Sequence, residues 1–428
     1  MRFPGTLGLV VAASFPATLC AQSPILEVYA GSFSYKPAAA TQIQGLRPQA
    51  LQRGVRLDGS LKAPPALSMS LQGNPFESAW SGHESLGDLR LDVGTWSPLT
   101  VDIALPCKGR ARWVVGRSFN ARQVVSGSYA DSNAYQGKNW QQTSQPEIVF
   151  YDDATDANDL VYLVYGADRY VEFRRFSGSS NQFVGRNGSA GVFDHQAGTP
   201  DLWVYHDQVG TQFTFLGFDT TGNAHNGLLW KIADEDGNVS YVGDSSSVST
   251  AISNGWDASG RITTAYDSSD RRYTYAYTTL DSVARLTQVK AETKTSGTWA
   301  SPTGVSEVAR VDYAYYSNET YGDVGGLKQA TVTTPLTDSG SSSTRKTYYR
   351  YWEGTFNLTS NPGHPYALKY VFEAEGLRQF DYAGDATFDE DFLSASNGSL
   401  ESYAAAYFEY DSDHRIVKTW MHGECGCS

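Results

Sequence analysis

Cysteine, histidine, methionine and basic charge are all scarce in this chain. Only four Cys, seven His and three Met occur in 428 residues. After removal of a leader ending near Ala21, the cysteines would be Cys107, Cys425 and Cys427, and an odd number of three is no disulfide framework. The pair in E-C-G-C-S lies near His422, but a metal needs more ligands than this stretch offers, so one disulfide or none is expected there. Charged residues make up only 18% and the formal charge is −13. Nucleic acid is therefore excluded as a natural partner, because phosphate binding needs a basic footprint. No apolar run reaches the about 20 residues of a membrane-spanning helix. Sustained apolar recurrence at helical spacing is missing too, which argues against a helical fold.

The longest apolar run stands at the start, Leu7 to Phe15, behind a single Arg and ahead of small residues. This is the form of a secretory signal peptide, 1–21, cut near Ala21. A lipid anchor on Cys20 is the alternative, although Leu19 is bulkier than that motif normally has. The expectation is a secreted product, extracellular or at the cell surface.

Strand signals are plentiful. Tyr (27) and Gly (41) are abundant, a balance that favours strands and tight turns. Residues 22–97 read as an arm with short strands, interrupted by K-A-P-P-A-L-S-M-S. From 98 to 226 strand-like runs follow one another: L-T-V-D-I-A-L-P, E-I-V-F-Y-D, L-V-Y-L-V-Y and R-Y-V-E-F-R-R-F. The fold class is all-β, with antiparallel hairpins wound in a spiral.

From 227 to 420 a repeat emerges, ahead of a tail at 421–428. Aliphatic-led segments begin at Leu229, Ile262, Leu286, Leu327, Leu368 and Ile416. Tyr-rich segments lie between them, such as Y-T-Y-A-Y from Tyr273 and T-Y-Y-R-Y-W from Thr347. Alternate side chains share a strand face, so Tyr273, Tyr275 and Tyr277 line one side. The turns share a grammar in which Asp stands four residues before Arg or Asn. It reads Asp234 with Gly237, Asp257 with Gly260 and Arg261, Asp267 with Arg271, Asp281 with Arg285, and Asp411 with His414 and Arg415. A leading Asp can accept from backbone N–H groups, and the fourth slot suits a left-handed residue. Asp and Arg then pair across the turn, for about 0–1 kcal/mol at a surface. One hairpin cannot bury its own face, so neighbours must stack.

These phrases carry a family likeness. W-D-A-S-G-R-I, Y-D-S-S-D-R and Y-D-S-D-H-R-I resemble the Y-D-x-x-G-R-L unit of rearrangement-hotspot (RHS), or YD-repeat, proteins. The stretch from Gly210 to G-L-L-W-K-I-A-D-E-D-G-N is similar to the usual start of that repeat region, and Val101 to Arg122 is similar to the opening of many bacterial RHS shells, where Gly is common at the position of Cys107. The likeness runs from about Leu99 to Trp420. It implies a spiral β-sheet wound into a shell, which in relatives encloses a C-terminal cargo or serves cell contact. No D-P-x-G core motif and no cargo follow the repeats here, and the few repeats are expected to form a curved sheet rather than to close a cavity.

Chemistry-bearing motifs are sparse. G-x-S-x-G, H-E-x-x-H, the P-loop and G-x-G-x-x-G are absent. His206 beside Asp207 suggests a base only until strand alternation points the two apart. The run Asp152 to Asp159 has oxygen ligands for Ca²⁺ but lacks the Gly and Glu of an EF-hand loop, and reads as a solvated loop. Trp256, Trp299 and Trp352 are candidate platforms for stacking sugars. The expectation is a non-catalytic protein without cofactor or metal, a shell segment or surface scaffold in a toxin or cell-contact system. Its partners would be other proteins or further shell segments. The rivals are a polysaccharide-binding adhesin, the product of a split or truncated RHS gene, and a glycosidase with an unrecognised carboxylate pair.

Overall fold

The computed structural model describes most of residues 99–421; within that span the longest stretches left outside are 120–134, 336–341 and 383–391. Before 99 it describes four two-residue strands: β1 (Val28–Tyr29), β2 (Arg56–Leu57), β3 (Leu89–Arg90) and β4 (Thr95–Trp96). The expected signal peptide, most of the expected arm, Cys425 and Cys427 lie outside the described residues.

Three strands, β5 (Leu99–Ala104), β6 (Val114–Phe119) and β7 (Trp140–Gln142), form a small sheet of their own. β3 and β4 pair only with each other, and from β8 onward the chain is one antiparallel meander with a side hairpin. Its first half runs through β8 (Glu147–Tyr151), β9 (Leu160–Gly166), β10 (Arg169–Arg175), β11 (Gln182–Gly185), β12 (Val192–Gln196), β13 (Leu202–His206) and β14 (Gln212–Leu216). Then come β15 (Leu229–Ala233), β16 (Val239–Val242), β17 (Thr264–Tyr266), β18 (Arg272–Leu280) and β19 (Val283–Thr293). A side hairpin of β20 (Ser296–Thr298) and β21 (Ser301–Thr303) interrupts it. The meander resumes with β22 (Ser306–Tyr315), β23 (Leu327–Pro335), β24 (Ser342–Tyr351), β25 (Leu368–Phe372), β26 (Ala406–Tyr410) and β27 (Ile416–Met421). Each strand from β8 onward pairs with its successor, β19 pairing with β22 across the side hairpin. Across 226/227 the sheet is continuous, with β14 paired to β15. At the two ends of the meander, β1 pairs with β27 and β2 runs parallel to β8.

The first half rolls up. The Ile148 N–H donates to the Gly227 carbonyl at 2.8 Å and the Leu229 N–H to the Pro146 carbonyl at 3.3 Å, so β8 meets the segment that follows β14. Aromatic rings fill the interior: Phe150 lies 5.0 Å from Trp203 between ring centroids, and Phe173 lies 4.8 Å from Phe193. Closure on itself thus arises in the strands before the repeats, and rings occupy the enclosed space.

In the second half, one face of the meander receives the small sheet. Trp113 Nε1 donates to the Tyr275 hydroxyl and Trp140 Nε1 to the Tyr351 hydroxyl, both at 2.9 Å. Strand alternation explains Y-Y-R-Y in β24. Tyr349 and Tyr351 face the small sheet, while Tyr348 and Arg350 face an insertion between β25 and β26. Both sides are covered, and 348–351 are buried throughout. That insertion carries α2 (Ala374–Tyr382) and α3 (Asn397–Leu400), and α1 (Val248–Gly255) sits between β16 and β17. Sequence periodicity gave no sign of these short helices. The Arg350 guanidinium anchors the insertion through the carbonyls of Phe392 (2.8 Å) and Ala395 (2.9 Å) and the Asn397 Oδ1 (2.9 Å), and burial lowers its pKa.

Candidate functional site

The Asp-led turns share one geometry. In each of the turns at Asp234, Asp257, Asp267 and Asp411, Oδ1 accepts from the backbone N–H groups two and four residues on, at 2.9–3.1 Å. The leader's own N–H bonds to the carbonyl of the fifth residue. The fourth slot is left-handed every time: Gly237 (φ 80°), Gly260 (71°), Asp270 (61°) and His414 (60°). Oδ2 takes the side chain of the fifth residue, with Arg Nε at 2.5 Å for Arg261 and 2.7 Å for Arg271 and Arg415, and with Asn238 Nδ2 at 2.9 Å. The Asp234 carboxyl sits below its ordinary value. Desolvation pushes it up, but hydrogen bonds from the Arg110 backbone, the Asn238 side chain and the turn's own N–H groups outweigh that. Both oxygens of each carboxylate are thus engaged within the turn.

One expected turn is different. Asp281 (φ 53°) and Ser282 (62°) form a two-residue hairpin turn, with Leu280 opposite Val283. Arg285 lies in β19 opposite Thr278 and is 1% exposed, so it is not the fifth residue of an Asp-led turn. Strand pairing runs right up to the turn and leaves no room for a five-residue loop. A copy missed in the sequence stands earlier instead. Asp207 Oδ1 accepts from the N–H groups of Val209 (2.9 Å) and Thr211 (2.7 Å), with Gly210 at φ 85°. Thr at the fifth position hid it. His206 is turned away from Asp207 and pairs with Asp194 at 3.1 Å.

A second device links the hairpins. A register shift precedes the last aromatic of each strand, which then faces the leading aliphatic of the next: Tyr277 faces Leu286, Tyr315 faces Leu327, Tyr351 faces Leu368 and Tyr410 faces Ile416. Each hydroxyl donates one hairpin back. Tyr277 reaches the Ile262 carbonyl (3.0 Å), Tyr315 that of Leu286 (2.5 Å), Tyr351 that of Leu327 (2.7 Å) and Tyr410 that of Leu368 (2.9 Å). Ring packing alone would be served by Phe. The recurrence of Tyr at this position was the available signal for the ladder.

The deepest polar cluster joins the small sheet to the meander. Arg117 pairs with Asp102, and both side chains are 1% exposed. Tyr313 donates to Asp102 Oδ2 at 2.7 Å, and Arg117 Nη2 donates to the Tyr349 hydroxyl at 2.6 Å. Burial pushes both tyrosines up. Sealed from solvent, this group ties the small sheet to the meander.

The tryptophan platforms need correction. Trp256 is 4% and Trp352 5% exposed, and Trp352 Nε1 donates to the Phe408 carbonyl at 2.9 Å, so neither offers a face to a sugar. Trp256 follows α1 directly and Trp352 follows β24, each packed into the core. Trp299 is half-buried, with Arg272 at 4.5 Å and Lys294 at 4.8 Å from its ring centroid. In the acidic run, Asp153 Oδ1 accepts from the Thr155 N–H at 2.9 Å and Asp159 pairs with Arg175. Among the described residues, no group of three or more His, Cys, Asp and Glu could hold a metal ion, and no helix is long and apolar enough to cross a membrane.

No family model matches the chain, and no curated protein matches it. Solved structures give remote likenesses, each at 11% identity. The crystal structure of TcdB2-TccC3-Cdc42 has a TM-score of 0.38, covering 61% of this chain and 16% of that one. The N-terminal domain of effector protein SpvB from Salmonella typhimurium has a TM-score of 0.28, covering 64% and 98%. A porin-like protein from Bacteroides uniformis has a TM-score of 0.23, covering 65% and 95%. Likenesses this weak assign no function.

Proposed function

We propose that this chain is a secreted, non-catalytic scaffold of the RHS/YD-repeat kind, a shell segment or surface-contact element that works through protein partners. The observation that supports it best is the hydroxyl ladder, in which each hairpin docks on the one before. Of the residues that resemble acid–base pairs in the sequence, Asp234, Asp257, Asp267 and Asp411 have both carboxylate oxygens engaged by residues of their own turns. A catalytic pair is needed once, whereas a docking device is needed at every repeat. The test is expression in a secreting host, followed by crosslinking of the culture. The chain is expected outside the cell, joined to another protein, and the purified protein is expected to leave polysaccharides intact. Recovery only inside the cell, or turnover abolished by one Asp or Glu change, overturns the reading.

The polysaccharide-binding alternative now rests on Trp299, half-exposed beside Tyr266 at 6.3 Å between ring centroids. Glycan-array binding lost on Trp299→Ala would favour it.

A further inference from the structure

Two buried faces lie outside the main core. Every residue of β8 and β9 is buried, on both sides of the strand pair. Ile148, Phe150, Val161, Leu163 and Tyr165 face inward and join the rings of the roll. Val149, Tyr151, Leu160, Tyr162 and Val164 point the other way, because side chains alternate, and are only 2–7% exposed. None of these five belongs to the core that the inward residues build. In β11 and β12 the outward positions Gln182, Val184, Val192 and Asp194 are half-buried or exposed, so the cover is not shared by the whole roll.

The small sheet repeats this. In β6, Val115, Arg117 and Phe119 turn toward the ladder, yet Val114, Gly116 and Ser118 are equally buried. Val101, opposite Gly116, is buried as well. Val101 and Val114 again lie outside the main core. β6 comes beside β9, so the two faces lie on neighbouring strands.

We propose that residues 58–88 of the N-terminal arm lie across these two faces as a third layer, docked on their own chain. Both ends of that segment are held at the rim. β2 runs parallel to β8, with Arg56 opposite Phe150 and Leu57 opposite Tyr151. The β3–β4 hairpin leads directly into β5 at Leu99. Extended, residues 58–88 reach roughly 100 Å, and four strands at about 4.8 Å spacing are far narrower. The segment supplies Leu61, Leu67, Met69, Leu71, Phe76 and Trp80 to an apolar face. Residues 120–134 are worse placed. They return at Tyr135, whose carbonyl accepts from the Leu286 N–H at 2.6 Å and the Tyr315 hydroxyl at 3.1 Å, on the ladder side. Left open, an apolar face of this kind is an association site; the arm closes it. This inference is independent of the proposed function.

The test is photo-crosslinking of the full chain grown with photo-leucine, read by mass spectrometry on a mixture of isotope-labelled and unlabelled chains. Crosslinks from Leu160 are expected to peptides within 58–88 of the same molecule. Tyr162→Glu places a charge under the arm and is expected to lower the hydrogen-exchange protection of 58–88 by about tenfold or more, while that of β18 stays within about twofold. If that variant does not fold, the photo-leucine experiment still reads the unaltered sequence. Crosslinks from Leu160 to 120–134 or to a second copy, or none to the arm, overturn the proposal. Unchanged protection of 58–88 in a folded Tyr162→Glu variant overturns it as well.

Discussion

The roll of β8–β14 and the ladder of β18–β27 are halves of one meander held together by different means. The roll closes by backbone pairing of β8 with 227–229, and the rings of its interior are mostly Phe. The ladder leans on a separate sheet and has Tyr where the roll has Phe: Phe215 faces Leu229 in the roll, as Tyr351 faces Leu368 in the ladder. The roll ties its first strand to the segment that follows its last, so its rings need only fill space. The ladder lacks that closure, so each hairpin needs a directional bond to its neighbour.

This contrast can be broken by substitution. In the roll, Trp203→Ala removes a ring packed against Phe150 and Phe183 and is expected to cost about 3–5 kcal/mol in urea unfolding. In the layered half, Arg117→Ala strands Asp102 in the interior and is expected to cost about 3–5 kcal/mol, whereas Arg117→Met with Asp102→Leu should recover most of it. Tyr351→Phe deletes the donor to Leu327 and the acceptor for Trp140 together, for about 1–3 kcal/mol; the same loss from a Phe213→Leu change in the roll would erase the distinction. Among the turns, Gly237→Ala has open space around it and should cost only the left-handed penalty, about 1–2 kcal/mol. Gly260→Ala should cost more, because the Ala224 carbonyl blocks the added methyl. The smallest effect is on acid stability. The Asp234 carboxyl titrates below its ordinary value in the fold, so its contribution is present above about pH 4 and lost as pH falls through the folded value. Melting curves of Asp234→Ala and the parent should converge as pH drops from 6 to 3.

Much of the turn hardware was legible because it is local. Asp at one position and Arg four later lie within a single loop, and Oδ1 needs only that loop's own N–H groups. The same locality misled at Asp281, where spacing matched but strand pairing had already fixed a two-residue turn. The aliphatic leaders were legible as well; Leu286, Leu327, Leu368 and Ile416 each took the ladder position opposite an aromatic. What the hydroxyls do was not, since each acceptor lies 15 to 42 residues from its donor. The burial of Trp256 and Trp352 was equally hidden, because exposure depends on which distant segments pack over a side chain.

The amino-acid order by itself determined the strands, the Asp-led bends and the hairpin succession, because alternation and turn chemistry act over a few residues. Only the tertiary structure decided that β8 returns to the segment after β14, that the sheet of β5, β6 and β7 lies across the ladder, and that Asp102 and Arg117 meet Tyr313 and Tyr349. Those outcomes depend on which faces are buried against which, and that free energy is set by contacts between segments far apart in the chain.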